Sequence, residues 1–518
     1  MAATSGSLFD RHSGRIEEVI NKNIETFLPS MDPVWRDTVV SSQGVGPASA
    51  IGRGMEIIKV YMGSMAGVLK LSSPSKTLSD GEFTLFGDET TTINSKIHQQ
   101  SATQTWPDAN EGANATPYRL KVPMRAMTSN LMMTMGELQA EATPAFIGQV
   151  IAPKLEGFAR LISHTLCNSW YVSGNSNYQL ATVGAEVTAA AASYEFTPTE
   201  KSVDRFAVGQ RVDIYDATTA DHHDRVNLLS SGTATSTTVA VFVGAVDEIK
   251  GTVTLVADST TSNLDLTRID AGDTIKLWGQ TEEAGDSYGI AGINSWLKWD
   301  STSTATKRLL GAEADGTDYI DVTAHPEFRS YRKGSVGALT EHKLRQYLHG
   351  FHRAKDKYGQ YIDCLVASDG VWLNYESQKI GQYMIDRTSR PSSLNSEGSQ
   401  EGFTFAVDGR SYKGYTSQFV EKETVYGFRK GGNNWKRYVP PSPAGTQKFD
   451  KAESFIPFEF VAPALGFSGI KAPMRDSSAK LTEGVQLPGM LRMQLVPDQP
   501  AGMKLEGVTE SRVYGDNA

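Results

Sequence analysis

Two stretches of the sequence carry residue types that bind metals or move protons. "VDIYDATTADHHDRVN", starting at Val212, sets His222 and His223 side by side between Asp221 and Asp224, in a chain with nine histidines. "TEHKLRQYLHGFHRAKDKYG", starting at Thr340, places His342, His349 and His352 at spacings of seven and three. Imidazole and carboxylate together are a zinc donor set. In extended chain, however, adjacent side chains point to opposite sides, so only His222 and Asp224 share one. Two ligands from one loop do not complete a site, and neither HExxH nor a spaced Cys/His set supplies the others. A polar loop is the expectation there. His349 and His352 lie one turn apart, but no carboxylate follows at the next turn inside that helix, so the three histidines read as a solvated face. His164 falls beside an apolar stripe and reads as a hydrogen-bonded core histidine. Ser368 and Asp369, in "YIDCLVASDG", are nucleophile and acid types, yet G-x-S-x-G is absent and nothing orients a base toward the serine. No Walker loop occurs either. The sequence therefore assigns no catalytic, cofactor-binding or metal-ligating residue, and implies no cofactor.

The elements that would have to position such groups point elsewhere. A chain of 518 residues exceeds one hydrophobic core and predicts roughly two to four structural units. Hydrophobic residues at 39% and charged ones at 21% suffice for sizeable cores, and the 48 glycines imply many turns. The formal charge of -9 is spread without a basic run, which argues against sequence-specific nucleic-acid binding. Cys167 and Cys364, far apart, are no disulfide framework and read as small buried hydrophobes. The N-terminus "MAATSGSLFDRH" has no apolar signal region, and no run approaches the ~18 apolar residues of a membrane span.

Along the chain, "SGRIEEVINKNIETFLP" sets Ile16, Val19, Ile20, Ile24 and Phe27 at helical spacing, with Ser13 as cap and Pro29 as stop. This is an amphipathic helix on an arm. "MEIIKVYMGSMAGVLKL" then supplies a buried strand or short helix. Between Leu78 and Met127 the ends alternate (Phe83 and Leu85; Tyr118, Leu120 and Val122) around a polar middle, predicting a long two-stranded hairpin with no core of its own. "TPAFIGQVIAPKLEGFARLISHTLCNSW" predicts a helix of about seven turns capped by Thr143, with Pro153 as an interruption. "AEVTAAAASYEFTPTEKSVD" reads as a low-complexity connection. From Phe206 to Gln280 short alternating strands (Val212, Ile214; Val239, Val241, Val243; Val253, Leu255; Ile275, Leu277) predict a small antiparallel barrel or sandwich. The Thr340 stretch is a second amphipathic helix, with Leu344, Leu348 and Phe351 inward and Arg345, Arg353 and Lys355 outward. "YIDCLVASDG" follows as a buried strand and "VWLNYESQKI" as a short helix.

This order of elements resembles the major capsid proteins of tailed bacteriophages, the Hong Kong 97-type fold. "GEFTLF...PYRLKVPM" looks like that family's extended loop and "TPAFIGQVIAPKLEGFARLISHTLCNSW" like its spine helix. "ALTEHKLRQYLHGFHRAKDKYGQYIDCLVASDGVWLNYES" resembles a helix, strand and helix of its peripheral and axial domains, and "DGRSYKGYTSQFVEKETVYGFRKGGNNWKRY" its axial strands. The resemblance implies an α+β chain. Its parts would be an N-terminal arm and first core segment at 1–77, the extended hairpin loop at 78–127, and the spine helix with part of the peripheral domain at 128–195. An inserted β-barrel or sandwich module would occupy 196–285, the peripheral continuation 286–360, the axial domain 361–445, and a return to the peripheral domain 446–518. It further implies a self-assembling, non-enzymatic subunit of an icosahedral head shell. Hexamers and pentamers would enclose double-stranded DNA without reading its sequence and without a membrane. A separate scaffolding protein, a portal and a decoration protein would be partners, with assembly in the host bacterial cytoplasm and the virion as destination. The family's Lys to Asn crosslink is not carried over, since nothing marks Lys70, Lys76 or Lys96 as reactive. An encapsulin-like shell stays open as an alternative. So, in other classes, do a hydrolase and an adhesin or tail component with a β-rich accessory module.

Overall fold

The computed structural model describes residues 19–35 with short gaps, 50–51, 56–66, 69–71, 91–93, 114–134 except 124, 152–171, and 179–217 except 200–202. It further describes 226–228, 240–257, 265–278, 290–302, 307–310, 319–383, 403–431 except 408, 434–438, 458–460, 470–475 and 481–511. Three buried clusters organise these residues.

The main core surrounds helix α1, Ala152–Tyr171. Leu155, Phe158, Ile162, Leu166 and Trp170 recur every three or four residues, so one stripe is buried while Arg160 pairs with Glu156 outside at 2.9 Å. Pro153 stands in the first described turn, where its missing N–H costs nothing. The expected Thr143 cap lies outside the described residues. The N-terminal segment belongs to this core: Ile20 and Ile24 are fully buried, whereas Val19, predicted on the same face, is exposed. Trp35 meets Trp170 edge-on at 5.4 Å, and Trp170 meets Trp435 at 4.8 Å, an aromatic junction between segment, helix and sheet.

The hairpin has a different register from the one expected. Strand β1, Glu56–Ala66, pairs antiparallel with β2, Asn114–Pro123, with Tyr61 opposite Tyr118 and Lys59 opposite Leu120. The alternating Tyr118, Leu120 and Val122 therefore pair with the stretch read above as a strand or short helix, and Phe83 and Leu85 lie outside the described residues. Strand β3, Arg125–Thr134, leaves the ribbon for a second sheet built on a long strand, Leu481–Pro497. That strand also takes in Trp435–Tyr438, Phe458–Phe460 and Ile470–Arg475.

The second cluster fills a closed six-stranded barrel of β4 (Gln179–Ala190), β5 (Ser193–Pro198), β6 (Arg211–Tyr215), β7 (Val241–Asp247), β8 (Thr252–Ala257) and β9 (Thr274–Leu277). Val212, Ile214, Val241, Val243, Val253, Leu255 and Ile275 point inward as their alternation requires. The correction concerns β4 and β5. The second half of β4 and all of β5 come from the stretch read as a low-complexity connection; β4 supplies Leu180 and Val183, and β5 Tyr194 and Phe196, to the barrel core. Closure needs them, because an open set of strands would leave two unpaired edges.

The third cluster lies between two helices and a mixed six-stranded sheet. The sheet order is Tyr331–Lys333, Met503–Glu506, Thr424–Phe428, Cys364–Ala367, Arg410–Thr416, Phe403–Val407. Its strands come from three stretches that the resemblance assigns to different parts. Leu365, Ala367, Val425 and Leu505 face the helices Glu341–Lys355 (α2) and Asp369–Tyr383 (α3). Cys364, Val366, Tyr426 and Phe428 face the main core. Thr340 caps α2 by accepting from the Lys343 amide, and Leu344, Leu348 and Phe351 are buried as predicted. Lys355 is not outward. It is buried, donates to the Pro326 carbonyl at 2.5 Å, and its pKa is pushed down to about 8 by burial.

Candidate functional site

His164, His352 and Ser368 each tie elements together, whereas His342 and His349 lie exposed on α2. His164 accepts burial by bonding through Nε2 to the Asp204 carbonyl at 2.9 Å, with Asn168 at 3.3 Å from Nδ1, and burial lowers its pKa. It is a hydrogen-bonded core histidine, as its place on α1 suggested. Asn168 in turn donates to the Arg205 carbonyl, Arg205 to the Phe419 carbonyl at 3.2 Å, and Lys422 pairs with Asp204 at 3.7 Å. This set docks the connection between β5 and β6 of the barrel on α1 and on the loop that follows Thr416. His222 and His223 lie outside the described residues. Cys167 and Cys364 are free and buried, with the Cys167 thiol pushed well up by burial.

His352 departs from the solvated face expected for it. It is buried, its Nε2 bonds the Tyr412 hydroxyl, and its Nδ1 lies beside Arg410 and 3.4 Å from Asp356. Arg410 grips Asp356 through two bonds of 3.0 and 2.9 Å. Desolvation, followed by the Arg410 charge, lowers the His352 pKa, so the ring is neutral and fixed between a hydroxyl and a guanidinium. The carboxylate missing from the sequence reading was Asp356, one turn on and just past the helix end. A groove of about 550 Å³ opens beside this cluster, lined by Asp356, Gln360, Tyr361, Asp363 and Arg410. Its charges are engaged internally, since both Asp363 oxygens accept backbone amides, from Lys430 at 2.6 Å and Gly431 at 2.9 Å.

Ser368 precedes α3 and donates to Glu510 at 2.8 Å, while the other Glu510 oxygen accepts the Glu423 amide. The serine thus ties a helix start to the chain that follows Met503–Glu506, and the carboxylate it faces is itself held by a backbone amide. A buried ionic cluster that sequence reading missed sits under the mixed sheet. The Glu421 carboxylate takes Lys504 at 3.2 Å, the Tyr426 hydroxyl at 2.9 Å and Asn294 at 3.4 Å, and Lys504 also reaches Glu506 at 3.1 Å. Burial opposes its charge, but Lys504 and Arg205 hold the Glu421 carboxyl below its usual range. Its residues come from positions 294 to 506, so no local spacing announces it. Among the described residues no group of three His, Cys, Asp or Glu side chains is arranged around a common point.

One surface left open to a partner is the ribbon. Its inner face is anchored: the Tyr61 hydroxyl donates to the Pro497 carbonyl at 2.6 Å, Lys59 pairs with Asp498, and Tyr118 packs on His325 and Phe328 at 4.3 and 5.8 Å. Among the described residues its outer face has no such cover. Val60 is 47% and Met62 61% exposed, opposite Arg119 and Pro117, and the stretch 67–113 continues from this end.

Comparison with solved structures finds likenesses to phage particles and to an encapsulin, the holo-SrpI complex from Synechococcus elongatus PCC 7942, at 13% identity and a TM-score of 0.20, covering 36% of this chain and 54% of that one. The chain is similar to the capsid asymmetric unit of cyanophage A-1(L), at 10% identity and a TM-score of 0.40, covering 92% of this chain and 93% of that one. It is similar to the procapsid of satellite phage P4 with its size determination protein, at 6% identity and 0.32, covering 94% and 90%. It is also similar to Mycobacterium phage Patience, at 9% identity and 0.32, covering 98% and 91%. No protein-family model and no curated protein sequence matches the chain. Among the described residues no helix is long and apolar enough to cross a membrane.

Proposed function

We propose that this chain is the major capsid protein of a tailed bacteriophage, a structural subunit without an enzymatic role that assembles into the icosahedral head shell around double-stranded DNA. The observation that carries the reading is the ribbon. Its inner face joins the main core through Tyr61, Leu120 and Val122 and is tied down at Tyr61 and Lys59, while Val60 and Met62 stay exposed on the other face of a narrow sheet in which Ala50–Ile51 also pairs with β1. A bare apolar face of that kind is stabilised by a neighbour, and a heterologous contact repeated with the right rotation closes rings. Hexamers and pentamers follow, with a separate scaffolding protein, a portal and a decoration protein as partners. Assembly would take place in the host bacterial cytoplasm and the virion would be the final location.

In the same reading the Hong Kong 97-type parts are the ribbon as extended loop, α1 as spine helix, the long-strand sheet as peripheral domain and the mixed sheet as axial domain. The barrel is then an inserted module, and its docking through Asp204, Arg205 and Lys422 supports a fixed place on the subunit surface. The test is direct. Purified protein, with scaffold supplied, is assembled and imaged by negative stain, alongside the double variant Val60→Asp, Met62→Asp. Wild type should close into shells. The variant should keep its subunit stability within about 0.5 kcal/mol, the usual range for surface changes, and fail to close. A wild-type protein that stays monomeric, or a variant that forms shells equally well, would overturn the proposal. Nuclease-protected DNA inside the particles separates a head shell from a shell loaded with protein.

A further inference from the structure

The carboxyl of Asp32 is fully buried at the junction between the N-terminal segment and the main core. One oxygen accepts the Val34 amide at 3.0 Å, as expected of a residue that starts the turn Pro33–Trp35. The other oxygen makes no hydrogen bond of good geometry, although the Trp35 amide and the Tyr171 and Ser417 hydroxyls lie close enough to favour the charged form. The groups that face it are Tyr171 and Cys167 from α1, and Ser417 from the loop after Thr416, with Cys364 behind Tyr171 on the mixed sheet. None of these carries positive charge. Burial pushes both Tyr171 and Cys167 well above their ordinary values, so they stay neutral beside it. Among the described residues that face it there is no cation, and burying an uncompensated charge disfavours the ionised form. Accordingly the Asp32 pKa is raised to about 7, desolvation outweighing the Val34 amide and the neighbouring hydroxyls.

The same residue lies within the segment's attachment. Val34 and Trp35 follow it into the core, Trp35 packing on Trp170, and Ile20 and Ile24 lie upstream. Undocking this segment would give the Asp32 carboxyl to water and uncover Trp170 on α1. We propose that Asp32 is a proton-operated latch that holds residues 19–35 against α1 when its carboxyl is protonated and frees them when it ionises.

The sign follows from linkage. The docked state binds the proton more tightly than the open state, whose carboxyl has its ordinary value of 3.8. Docking is therefore strongest below that value and is lost as pH rises toward the docked value. The open fraction should climb about tenfold per pH unit between pH 4 and 7 and level off above it, since each unit of a pKa difference is a factor of ten in the equilibrium.

The test is hydrogen exchange on the full-length protein from pH 5 to 8.5, expressed as protection factors so that intrinsic exchange is removed. Peptides covering 19–35 should lose protection by about tenfold per pH unit up to pH 7, with barrel peptides 241–257 as the control for global unfolding. Asp32→Asn, which keeps a capping oxygen without the charge, should show flat protection over the same range. A wild-type profile that is flat at 19–35, or that moves in parallel with the barrel, overturns the latch. So does an Asp32→Asn variant that keeps the wild-type slope. Should Asp32→Asn not fold, Asp32→Ser takes its place under the same criterion, and a flat wild-type profile remains decisive without either variant.

Discussion

Replacing Glu421 by Gln removes one charge from the buried cluster and leaves its shape. Three donors now converge on this carboxylate, Lys504, Tyr426 and Asn294, from two neighbouring strands of the mixed sheet, Met503–Glu506 and Thr424–Phe428, and from the turn of helix Ile293–Trp296 in the main core. At 3.2 Å and an effective dielectric of 20, the Glu421 to Lys504 attraction amounts to about 5 kcal/mol before desolvation. Glutamine also keeps a hydrogen bond, and Lys504 keeps Glu506 at 3.1 Å, so part of that is recovered. The net cost should be about 3 kcal/mol, the low end for breaking a buried pair from one side. Denaturant unfolding of the unassembled subunit, followed by near-ultraviolet circular dichroism at pH 7, measures it. Adding Lys504→Met should restore part of the loss, because the stranded ammonium then disappears. The pH dependence gives an independent check. Glu421 is held below its usual range, so its contribution is present above the unfolded value and is lost as pH falls. The penalty of Glu421→Gln should therefore shrink on acidification. A single-variant cost below about 1 kcal/mol, or a penalty that grows at low pH, would refute the assignment of this cluster as the electrostatic tie between the mixed sheet and the main core.

Two further outcomes follow from the packing. A methyl group at Gly292 would run into the carbonyl oxygens of Ser169 and Trp170, so Gly292→Ala should cost about 1–3 kcal/mol in the same unfolding assay, and a neutral result would mean the helix end can move aside. Residues 179–278 expressed alone should melt cooperatively with a β-type spectrum, whereas 206–280, which lacks two of the six strands, should not; equal behaviour of both pieces would deny β4 and β5 their part in barrel closure.

The local elements were legible wherever one period ran for long enough. Leu344, Leu348 and Phe351 mark a helix, and Val241 and Val243 mark a strand, because both faces of each element have settled environments. The misreadings have physical causes. β4 is mostly small and solvent-facing from Ala185 to Ala190 and carries two bulges, which break its period of two. Ser193–Pro198 does alternate cleanly, with Tyr194 and Phe196 buried, and was a usable signal obscured by the alanines before it. Lys355 looked outward because helical spacing cannot see the Pro326 carbonyl waiting above it. His352 looked solvated because its partners, Tyr412 and Arg410, lie some sixty residues on across a sheet. The hairpin was recognised but misregistered, since its first strand, Glu56–Ala66, reads equally as strand or helix until Asn114–Pro123 is laid beside it. Long-range polar contacts such as Glu421 with Lys504 leave no periodic trace at all.

The long strand Leu481–Pro497 has a kinetic consequence. It holds Met127 against Leu491 and Arg125 against Met493, so the second sheet closes a loop of more than 360 residues. The barrel, by contrast, closes within about a hundred residues, between Gln179 and Leu277. Contacts of low sequence separation form early, and those of high separation wait on slow loop closure. A ribosome releasing this chain would therefore present a finished barrel long before β3 had anything to pair with or the ribbon had Pro497 and Asp498 to anchor on. During that interval the apolar face of α1 and the unpaired edge of β3 stay exposed, the condition under which large chains aggregate or recruit chaperones. Subunits would become competent to meet one another only once Leu481–Pro497 had been laid down, and synthesis itself thereby times the appearance of the surfaces.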